Sequence, residues 1–328
     1  MGIKILSLYD GMACGMIAMQ LAGVDVESYD AYEIDKYAIK TAQHNFPDIK
    51  EHGDVFDADF AQYEGVDFLI GGSPCTYWSI AQTKNRETVA SGMGWELFSQ
   101  YVRALHEAKP KYFIYENNKS MSKQIRASID KAFGFEAVLI NSALVSAQNR
   151  QRLYWVGKRN EDGTYSKANV EQPADRGILL KDVLDSAVAM REKAHAVIAS
   201  AGRTTEREFF TKNQGNMVAE PIDAIEFDDE GRPTKAIGKD GKEITIYEVK
   251  DGKITIKGKQ YPIKLKDGYY IIRKLTVREC MRLQTVPEWY EFPVSNSQAY
   301  KMLGNGWTCE VIAHLIRSCN GKTMGVME

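Results

Sequence analysis

The residues best suited to chemistry lie in the segment Gly71–Ser79, which contains Pro74-Cys75. It follows a short apolar run, Val66–Ile70, that is typical of a buried strand in a parallel sheet. Open α/β sheets bind their ligands at the carboxyl ends of the strands. Paired glycines allow close backbone approach, and Pro74 fixes φ beside the cysteine. The position favours a nucleophilic Cys75, although a lone cysteine is more often a small buried hydrophobe.

An acid and two arginines follow at comparable positions. The predicted strand Lys111–Tyr115 ends at Glu116, so two strand ends would present a thiol and a carboxyl at one sheet edge. Arg150 and Arg152 are two residues apart and share a face if the backbone is extended. Guanidinium groups suit a phosphate or a base carbonyl. A solvated surface pair is the alternative.

A second ligand-binding feature is predicted where the first strand meets the first helix. The strand Ile3–Leu8 runs into the turn Tyr9–Gly15, and the helical pattern of Met16–Leu21 follows. Glu33 ends the strand Val26–Tyr32, about 20 residues beyond that turn, where an acid accepts hydrogen bonds from ribose hydroxyls. These features indicate a nucleoside-containing cofactor. The glycines do not match GxGxxG, so an ordinary βα turn remains the alternative.

Other segments complete the predicted sheet and its surroundings. Asp54 is a candidate acceptor for an adenine amine, with a solvated turn residue as the alternative. Residues 80–94 are polar and glycine-punctuated, which predicts a mobile lid. A helix is predicted over Trp95–Ala108, and two strands over Ala137–Ile140 and Arg152–Gly157.

The composition changes between about residues 158 and 270. Helix-like material over Ile178–Ser200 precedes an acidic run, Glu220–Glu230, with six acids and no base. Short strands with glycine turns then follow from Glu243 to Ile272. Lys250–Lys274 carries eight Lys or Arg against two Asp, a net +6. We expect a mostly β insertion with a basic face, although a charge run is usually only a solvated surface.

Two helices close the chain. Thr276 lies three residues before Glu279, a capping box, at the start of an apolar helical pattern. The segment Ala299–Trp307 contains Gly304-Asn305 and leads into a predicted helix, Glu310–Ser318.

The composition limits the class of protein. At 328 residues the chain can form one large α/β domain and a smaller one, and its net charge of -2 requires any nucleic-acid binding to be local. The five cysteines form no CxxC pair and no metal-ligand spacing, which fits a reducing compartment. With no apolar stretch of about 18 residues and no leader pattern, we expect a soluble cytoplasmic protein.

In motif order the chain resembles the DNA cytosine-5 methyltransferases along almost its whole length. The turn Tyr9–Gly15 is closest to the first motif of the animal de novo enzymes. The other matches, in order, are Glu33 for the ribose-binding acid, Asp54 for the adenine-binding residue, Pro74-Cys75 for the nucleophile motif, Glu116-Asn117 for ENV, Gln148-x-Arg150-x-Arg152 for QxRxR, Arg278-Glu279 with Leu283-Gln284, and Gly304-Asn305.

The resemblance implies S-adenosyl-L-methionine as cofactor, with S-adenosyl-L-homocysteine as product, and no metal. The implied catalytic residues are Cys75, Glu116, Arg150 and Arg152. The implied cofactor-binding residues are Tyr9, Asp10, Gly11, Met12, Cys14, Gly15, Glu33, Ile34, Asp54, Val55, Pro74, Leu97, Asn305, Gly306 and Trp307.

The resemblance also implies the architecture. We expect an α/β fold with a Rossmann-like class I methyltransferase sheet, formed by residues 1–157 and 275–328. A smaller, mostly β target-recognition domain, residues 158–274, would be inserted before the C-terminal helices. The implied protein is a prokaryotic or phage-encoded monomer that acts on double-stranded DNA, with a cognate restriction endonuclease as a further partner.

Three positions depart from the family pattern. Ala13 stands where bacterial members often carry glycine, Asn118 replaces the valine of ENV, and Gly306 replaces the serine of GNS. We expect the first and the last to alter cofactor affinity and Asn118 to alter the cytosine pocket.

The implied chemistry is covalent catalysis. The Cys75 thiolate would add to C6 of cytosine while Glu116 binds N3 and the exocyclic amine, and C5 would then take the methyl group. Arg152 would hold O2, and Arg150 would steer phosphate or support the loop. The base must leave the duplex, and we expect Gln82, next to the small Ala81, to fill the vacated stack.

Three alternatives remain at this point. A similar fold could methylate RNA such as tRNA, and a silent paralogue could only bind DNA, although it would have no need of Cys75, Glu116 and Arg152 together. A thiol hydrolase would want a Cys–His pair, and none of the five histidines lies in a motif loop. The target sequence cannot be predicted, because base readout depends on which side chains reach the groove.

Overall fold

The computed structural model describes residues 2–80, 86–222, 236–237 and 243–319. The strands are numbered in chain order: β1 Ile3–Leu8, β2 Val26–Tyr32, β3 Lys50–Glu51, β4 Phe68–Gly71, β5 Tyr112–Asn118, β6 Val138–Asn141, β7 Gln148–Asn149, β8 Gln151–Arg159, β9 Tyr165–Lys167, β10 Val188–Ala189, β11 Ala194–His195, β12 Met217–Pro221, β13 Ala236–Ile237, β14 Glu243–Ile244, β15 Tyr247–Lys250, β16 Lys253–Ile256, β17 Lys259–Pro262 and β18 Gly268–Lys274.

Six of the eight described α-helices fall in the first and last thirds of the chain. They are α1 Cys14–Leu21, α2 Lys36–Asn45, α3 Met93–Ala108, α4 Lys123–Phe133, α5 Glu206–Lys212, α6 Val277–Leu283, α7 Asn296–Asn305 and α8 Cys309–Cys319. Among the described helices, none combines the length and the hydropathy needed to cross a lipid bilayer.

The main sheet has the strand order β3-β2-β1-β4-β5-β8-β6, and β9 pairs with β8. The strands from β3 to β5 are parallel, whereas β8 runs antiparallel to its neighbours. After β1 the chain adds strands on one side, and from β4 onward it adds them on the other. The carboxyl ends of β1 and β4 therefore flank the crevice in which open α/β sheets bind ligands.

Both faces of this sheet are covered, which explains the continuous apolar runs of its strands. Alternate residues point to opposite faces. Ile5 and Ile70 enter a core with α1, α2 and α8, whereas Leu6 and Leu69 enter a core with α3 and α4. The last helix, α8, packs beside α1, so the C-terminal segment returns to the first domain as predicted.

The capping box predicted at the start of α6 is present. Thr276 Oγ1 accepts from the Glu279 N–H at 3.1 Å, and Glu279 Oε2 accepts from the Thr276 N–H at 2.7 Å. The reciprocal bonds satisfy two donors at the helix N-terminus.

A second sheet is antiparallel, with the order β10-β12-β18-β15-β16-β17. It encloses its own small core, in which Tyr247 and Val249 of β15 alternate with exposed residues. This part of the chain is the mostly β insertion that the composition predicted. The acidic run is described only from Glu220 to Ile222, and the rest lies outside the described residues.

Two predictions for this region were wrong in detail. Ile178–Ser200 is not α-helical: it contains a short 3-10 turn, Leu180–Val183, and the two-residue strands β10 and β11. The change of fold also does not fall at residue 157, because β8 continues to Arg159 and pairs with β9 in the main sheet. The chain then alternates between the two parts. Leu180 and Val183 lie in the first core, β10 joins the second sheet, and Ala194 and Val197 return to the first core before β12.

Candidate active site

A cleft of about 350 Å³ opens at the carboxyl ends of β1, β2 and β4. All of the predicted cofactor-binding residues except Gly15 line it, as do Glu116, Arg150 and Arg152. Sequence analysis missed further lining residues, most of them neighbours of the predicted ones: Tyr32, Asp35, Ala38, Gly53, Gly72, Ser73, Thr76, Tyr77, Lys301 and Met302. The volume is within the usual range for small-molecule sites.

Gly15 has a different role from the one predicted. A Cβ at this position would collide with the Tyr29 hydroxyl and with Cδ1 of Ile70. Glycine is therefore required here for packing of α1 against the sheet, and the residue does not face the ligand.

The turn after β1 is unusual in its backbone. Tyr9, Gly11 and Ala13 all have φ near +60°, and two of them are not glycine. The left-handed region costs most residues roughly 1–2 kcal/mol, and such strain concentrates at functional sites. Ala13 holds this conformation without being glycine, so the turn carries backbone strain that a glycine would not have.

Two acids at the cleft differ in how they are held. Glu33 accepts from the main-chain N–H groups of Gly11, Ile34 and Asp35 at 2.8–2.9 Å. Asp10 accepts from Ser7 and Tyr29 through Oδ1 at 2.5 Å, and its buried Oδ2 has no partner among the described residues. Burial raises the Asp10 pKa to about 6, against the lowering effect of those two hydroxyls. Both acids can accept donors from a polar ligand.

Arg103 of α3 fixes the loop that carries Asp54. Its guanidinium donates to the carbonyls of Val55 and Ala58 at 2.8 and 2.9 Å. The Asp54 carboxylate also accepts from the Phe56 N–H at 3.1 Å. The predicted adenine-binding residue is therefore held at the wall of the cleft before any ligand arrives.

The backbone of Cys75 begins a short 3-10 turn, Cys75–Tyr77, just beyond β4, and its side chain is outside the described atoms. The residues on either side of it, Pro74 and Thr76, line the cleft. Before it, the Ser73 hydroxyl hydrogen-bonds the Tyr115 hydroxyl at 2.6 Å, and Asn117 donates to the Ser73 carbonyl at 3.1 Å. The end of β5 thus anchors the start of the Cys75 loop.

The loop is also anchored after the cysteine. The buried Trp78 donates through Nε1 to Glu87 at 3.0 Å, and the same carboxylate accepts from the Gly94 N–H at 3.1 Å. The described part of the predicted lid is therefore tied to the start of α3. Gln82, the residue expected to fill the vacated stack, and its neighbour Ala81 lie outside the described residues.

Glu116 lies near the end of β5 and is only 9% exposed. Arg152 faces Asn118 across the β5–β8 pair, which brings its Nε within 3.0 Å of Glu116 Oε1. The other oxygen, Oε2, accepts from Nε1 of Trp307 at 3.0 Å. This contact was not predicted, because Trp307 was assigned to the cofactor alone.

Arg150 differs sharply from Arg152. It is 4% exposed, and its guanidinium donates to the carbonyls of Val197, Gly304 and Gly306 at 2.8–3.2 Å. The strand pairing is interrupted at this position, since β7 ends at Asn149 and β8 begins at Gln151. The prediction that Arg150 steers phosphate is therefore replaced by the alternative, that it supports the loop.

A buried network of amides surrounds Arg150. Gln148 and Gln284 hydrogen-bond each other at 2.7 Å, and Gln284 also donates to the Gly306 carbonyl at 3.1 Å. The Thr308 hydroxyl donates to Gln284 at 3.0 Å. Three sequence motifs that are far apart along the chain therefore hold the Gly304–Thr308 segment against the cleft.

Gly306 is explained by its neighbours. A Cβ at this position would lie 3.0 Å from Cys14 Sγ and 3.0 Å from the Met302 carbonyl. Both distances are tighter than ordinary packing, so glycine at this position accommodates the Cys14 side chain.

Comparisons with known proteins agree with this geometry. A family model described as C-5 cytosine-specific DNA methylase matches residues 3–321. Type II methyltransferase M1.ScrFI of Lactococcus lactis subsp. cremoris is 31% identical over 327 residues, covering 92% of this chain and 73% of the relative. Type II methyltransferase M.HhaI of Haemophilus parahaemolyticus is 25% identical, covering 96% of this chain and 93% of the relative.

Solved structures support the fold. A DNMT2 mutant of Spodoptera frugiperda superimposes with a TM-score of 0.62 at 16% identity, covering 97% of this chain and all of that chain. A putative DNA modification methyltransferase from an Escherichia coli prophage gives a TM-score of 0.55 at 16% identity, covering 98% of this chain. The α/β architecture predicted from the sequence is confirmed.

Proposed function

The chain belongs to the family of C-5 cytosine-specific DNA methylases, and on this premise we propose how its own residues methylate cytosine. The activity is transfer of a methyl group to C5 of cytosine in DNA. The observation that carries the mechanism is the Glu116 carboxylate, held between Arg152 and Trp307 at 3.0 Å each, in the cleft that Pro74 and Thr76 also line.

We propose S-adenosyl-L-methionine as the methyl donor, because the hydrogen-bond acceptors in the cleft fit it. Glu33 is placed for ribose hydroxyls and Asp54 for the adenine amine. The unpartnered Oδ2 of Asp10 is a buried acceptor beside the same cleft, as a ligand that carries a cationic group would require. When bound, the donor supplies an electrophilic methyl group.

The proposed role of each residue follows from the low nucleophilicity of C5 of cytosine. C5 is a poor nucleophile until a nucleophile adds at C6, and Cys75 is proposed to make that bond as a thiolate. Glu116 would accept hydrogen bonds from N3–H of the protonated base and from the exocyclic amine, which favours the protonated, electrophilic base. Arg152 would turn a second guanidinium N–H toward O2. Loss of the C5 proton then expels Cys75 and restores the ring.

Access to C6 requires that the base leave the helix. Burial of Glu116 beneath the cleft rim places the reacting groups out of reach of a stacked base, so we propose extrusion from double-stranded DNA. The second sheet is proposed as the target-recognition domain, and six of its eight basic residues in Lys250–Lys274 are exposed lysines. The protein would act as a monomer, with a cognate restriction endonuclease as a further proposed partner.

Two alternatives make different predictions. Methylation of RNA would use the same cleft, so only the substrate distinguishes it. A thiol hydrolase is disfavoured, because none of the described histidines lines the cleft.

The test is methyl transfer from radiolabelled S-adenosyl-L-methionine to duplex DNA of varied sequence, with bisulfite mapping of the product and transfer RNA as a parallel substrate. Cys75→Ser is expected to abolish transfer and to leave donor binding unchanged. Cys319→Ser, at the far end of α8, is the matched control and should keep full activity. Transfer to RNA alone, or equal transfer by Cys75→Ser, would contradict the proposal.

A further inference from the structure

Trp307 is the residue of the cleft whose contacts go beyond cofactor binding. Its indole N–H donates to Oε2 of Glu116 at 3.0 Å, and its side chain lines the same cleft as Glu33 and Asp54. We propose that Trp307 is a positioning residue that, through this N–H, orients the Glu116 carboxyl toward the everted cytosine. The inference rests on the proposed function and adds a residue to it.

The geometry at the carboxylate supports this role. Glu116 has one partner on each oxygen, and the two partners come from separate elements. The Arg152 guanidinium of β8 forms an ion pair with Oε1, and the Trp307 N–H, from the segment between α7 and α8, donates to Oε2. An ionised carboxyl has about four acceptor positions. Each oxygen therefore keeps at least one for the base, while the ion pair and the indole hydrogen bond together fix the plane and rotation of the group.

Arg152 alone would not fix the carboxyl. In the proposed mechanism its guanidinium must also bind O2 of the cytosine, so its contact with Oε1 changes when the base enters. The indole has a single N–H and no other duty toward the base. It can hold Oε2 throughout the reaction, which is what a positioning group must do.

The indole itself is fixed from behind. The carbonyl of Gly306, the residue before it, accepts from Arg150 at 2.8 Å and from Gln284 at 3.1 Å. Thr308, the residue after it, donates to Gln284 at 3.0 Å. The main chain on both sides of Trp307 is thus held by buried side chains, and the N–H direction is set before a substrate binds.

The alternative is that Trp307 only packs against the cofactor. The two roles separate in Trp307→Phe, which keeps an aromatic ring in the cleft and removes the N–H. If Trp307 only packs against the cofactor, the variant should bind S-adenosyl-L-methionine more weakly, and the rate of the chemical step should change little. If Trp307 positions Glu116, the variant should bind S-adenosyl-L-methionine almost as tightly as the wild type, and the chemical step should be slower.

The chemistry is measured as release of tritium from duplex DNA that carries [5-³H]cytosine, without any methyl donor. This exchange requires addition of Cys75 at C6 and activation by Glu116, and it does not depend on cofactor affinity. Trp307→Phe should lower the exchange rate by about 10- to 100-fold, the usual worth of a hydrogen bond to a charged group. The affinity of the variant for S-adenosyl-L-methionine, measured by calorimetry, should change less than about 2-fold.

Two controls make the result specific. Trp155→Phe removes an equivalent indole N–H, which donates to Asp130 at 2.7 Å on the other side of the sheet, and it should leave exchange unchanged. In a Glu116→Gln background, Trp307→Phe should cost less than about 2-fold, because a residue that acts through Glu116 has no further effect once that acid is gone.

The inference is overturned if Trp307→Phe exchanges tritium at the wild-type rate, or if its cost is the same with and without Glu116. It is also overturned if the affinity of the variant for S-adenosyl-L-methionine falls in proportion to its rate of tritium exchange. A wild-type protein that releases no tritium from any DNA would instead contradict the proposed function, so the two failures are distinguishable.

Discussion

The edge of the parallel sheet and the inserted antiparallel sheet use polar side chains in opposite ways. At the sheet edge, buried groups such as Arg150 and Gln284 are bonded to main-chain carbonyls of distant segments. In the insert, lysines such as Lys253 and Lys257 are exposed. In the proposed function, the chemistry takes place in a region that is fixed by packing, whereas contact with DNA is assigned to a surface that needs only charge.

The basic face of the insert is smaller than its composition suggested. Arg273 pairs with Glu279 and Glu220 at 2.9 Å, and Lys274 donates to the Gly202 carbonyl at 2.6 Å. These two cations join the insert to its surroundings. Of the net +6 predicted for Lys250–Lys274, only the exposed lysines remain for nucleic acid.

The sharpest test of the comparison lies between the two arginines of one motif. Arg152→Met removes a donor from Glu116 and from the proposed O2 contact, and we expect the single-turnover rate to fall by about 100-fold or more. Arg150→Met should keep the single-turnover rate within about 10-fold of the wild-type rate when S-adenosyl-L-methionine is saturating. Rapid-quench assays on one duplex measure both variants.

The same pair should separate in stability. Arg150→Met removes a donor from the buried carbonyls of Val197 and Gly304, at about 1–3 kcal/mol each, whereas the Gly306 carbonyl keeps its bond from Gln284. Thermal unfolding should show a fall in Tm of at least about 5 °C, larger than that of Arg152→Met. Equal losses of rate and stability in the two variants would mean that the motif does not divide into a catalytic and a supporting arginine.

A smaller effect is expected where packing sets cofactor affinity. Gly306→Ala places a Cβ 3.0 Å from Cys14 Sγ, and such overpacking costs about 1–3 kcal/mol. We expect the affinity for S-adenosyl-L-methionine, measured by calorimetry, to fall about 10-fold. Cys14→Ala should recover part of that loss in the double variant, because the two residues share the space. Strictly additive losses would show that Cys14 is not the obstacle.

Substitutions of exposed lysines in the inserted sheet should weaken DNA binding and leave the rate of methyl transfer unchanged. Replacing Lys253, Lys257 and Lys259 with alanine should reduce the salt dependence of DNA binding by about 0.9 for each lost phosphate contact and weaken affinity a few-fold. The single-turnover rate at saturating DNA should not change. Lys131→Ala on α4 is the control. An unchanged salt slope would mean that these lysines only protect the edge strand β17 from pairing.

The smallest effect concerns pH. Burial raises the pKa of Glu51 to about 8, and the charges of Asp10 and Glu33 add to it. The unfolded chain releases this proton near the ordinary value of 4.5, so the folded state holds an extra proton from there up to about pH 8. The stability that this proton contributes is therefore present below pH 4.5 and is lost as the pH rises toward 8.

Glu51→Gln should remove that dependence. The Tm of the variant relative to wild type should rise by about 2 °C between pH 5.5 and pH 8.5. Glu161→Gln, on an exposed turn, should show no such trend. A constant difference across the range would mean that the Glu51 carboxyl does not stay protonated in the folded protein.

The parallel strands were predictable because both of their faces are buried. β1 and β2 begin and end where the apolar pattern placed them, and β5 extends the predicted strand through Glu116. The segment Ile178–Ser200 was not predictable in this way. Its buried residues Leu180, Val183, Ala194 and Val197 have near-helical spacing, yet they are buried because separate short turns pack on the first core.

By itself the sequence determined the order of the motifs, the strand ends that carry Cys75 and Glu116, and the returning C-terminal helices. These features depend on local backbone preference and on burial periodicity, which neighbouring residues encode. Only the tertiary structure decided that Arg150 is a buried support and that Trp307 bonds Glu116, from 191 residues away. Such pairings depend on how whole elements pack against each other, and no spacing along the chain records that.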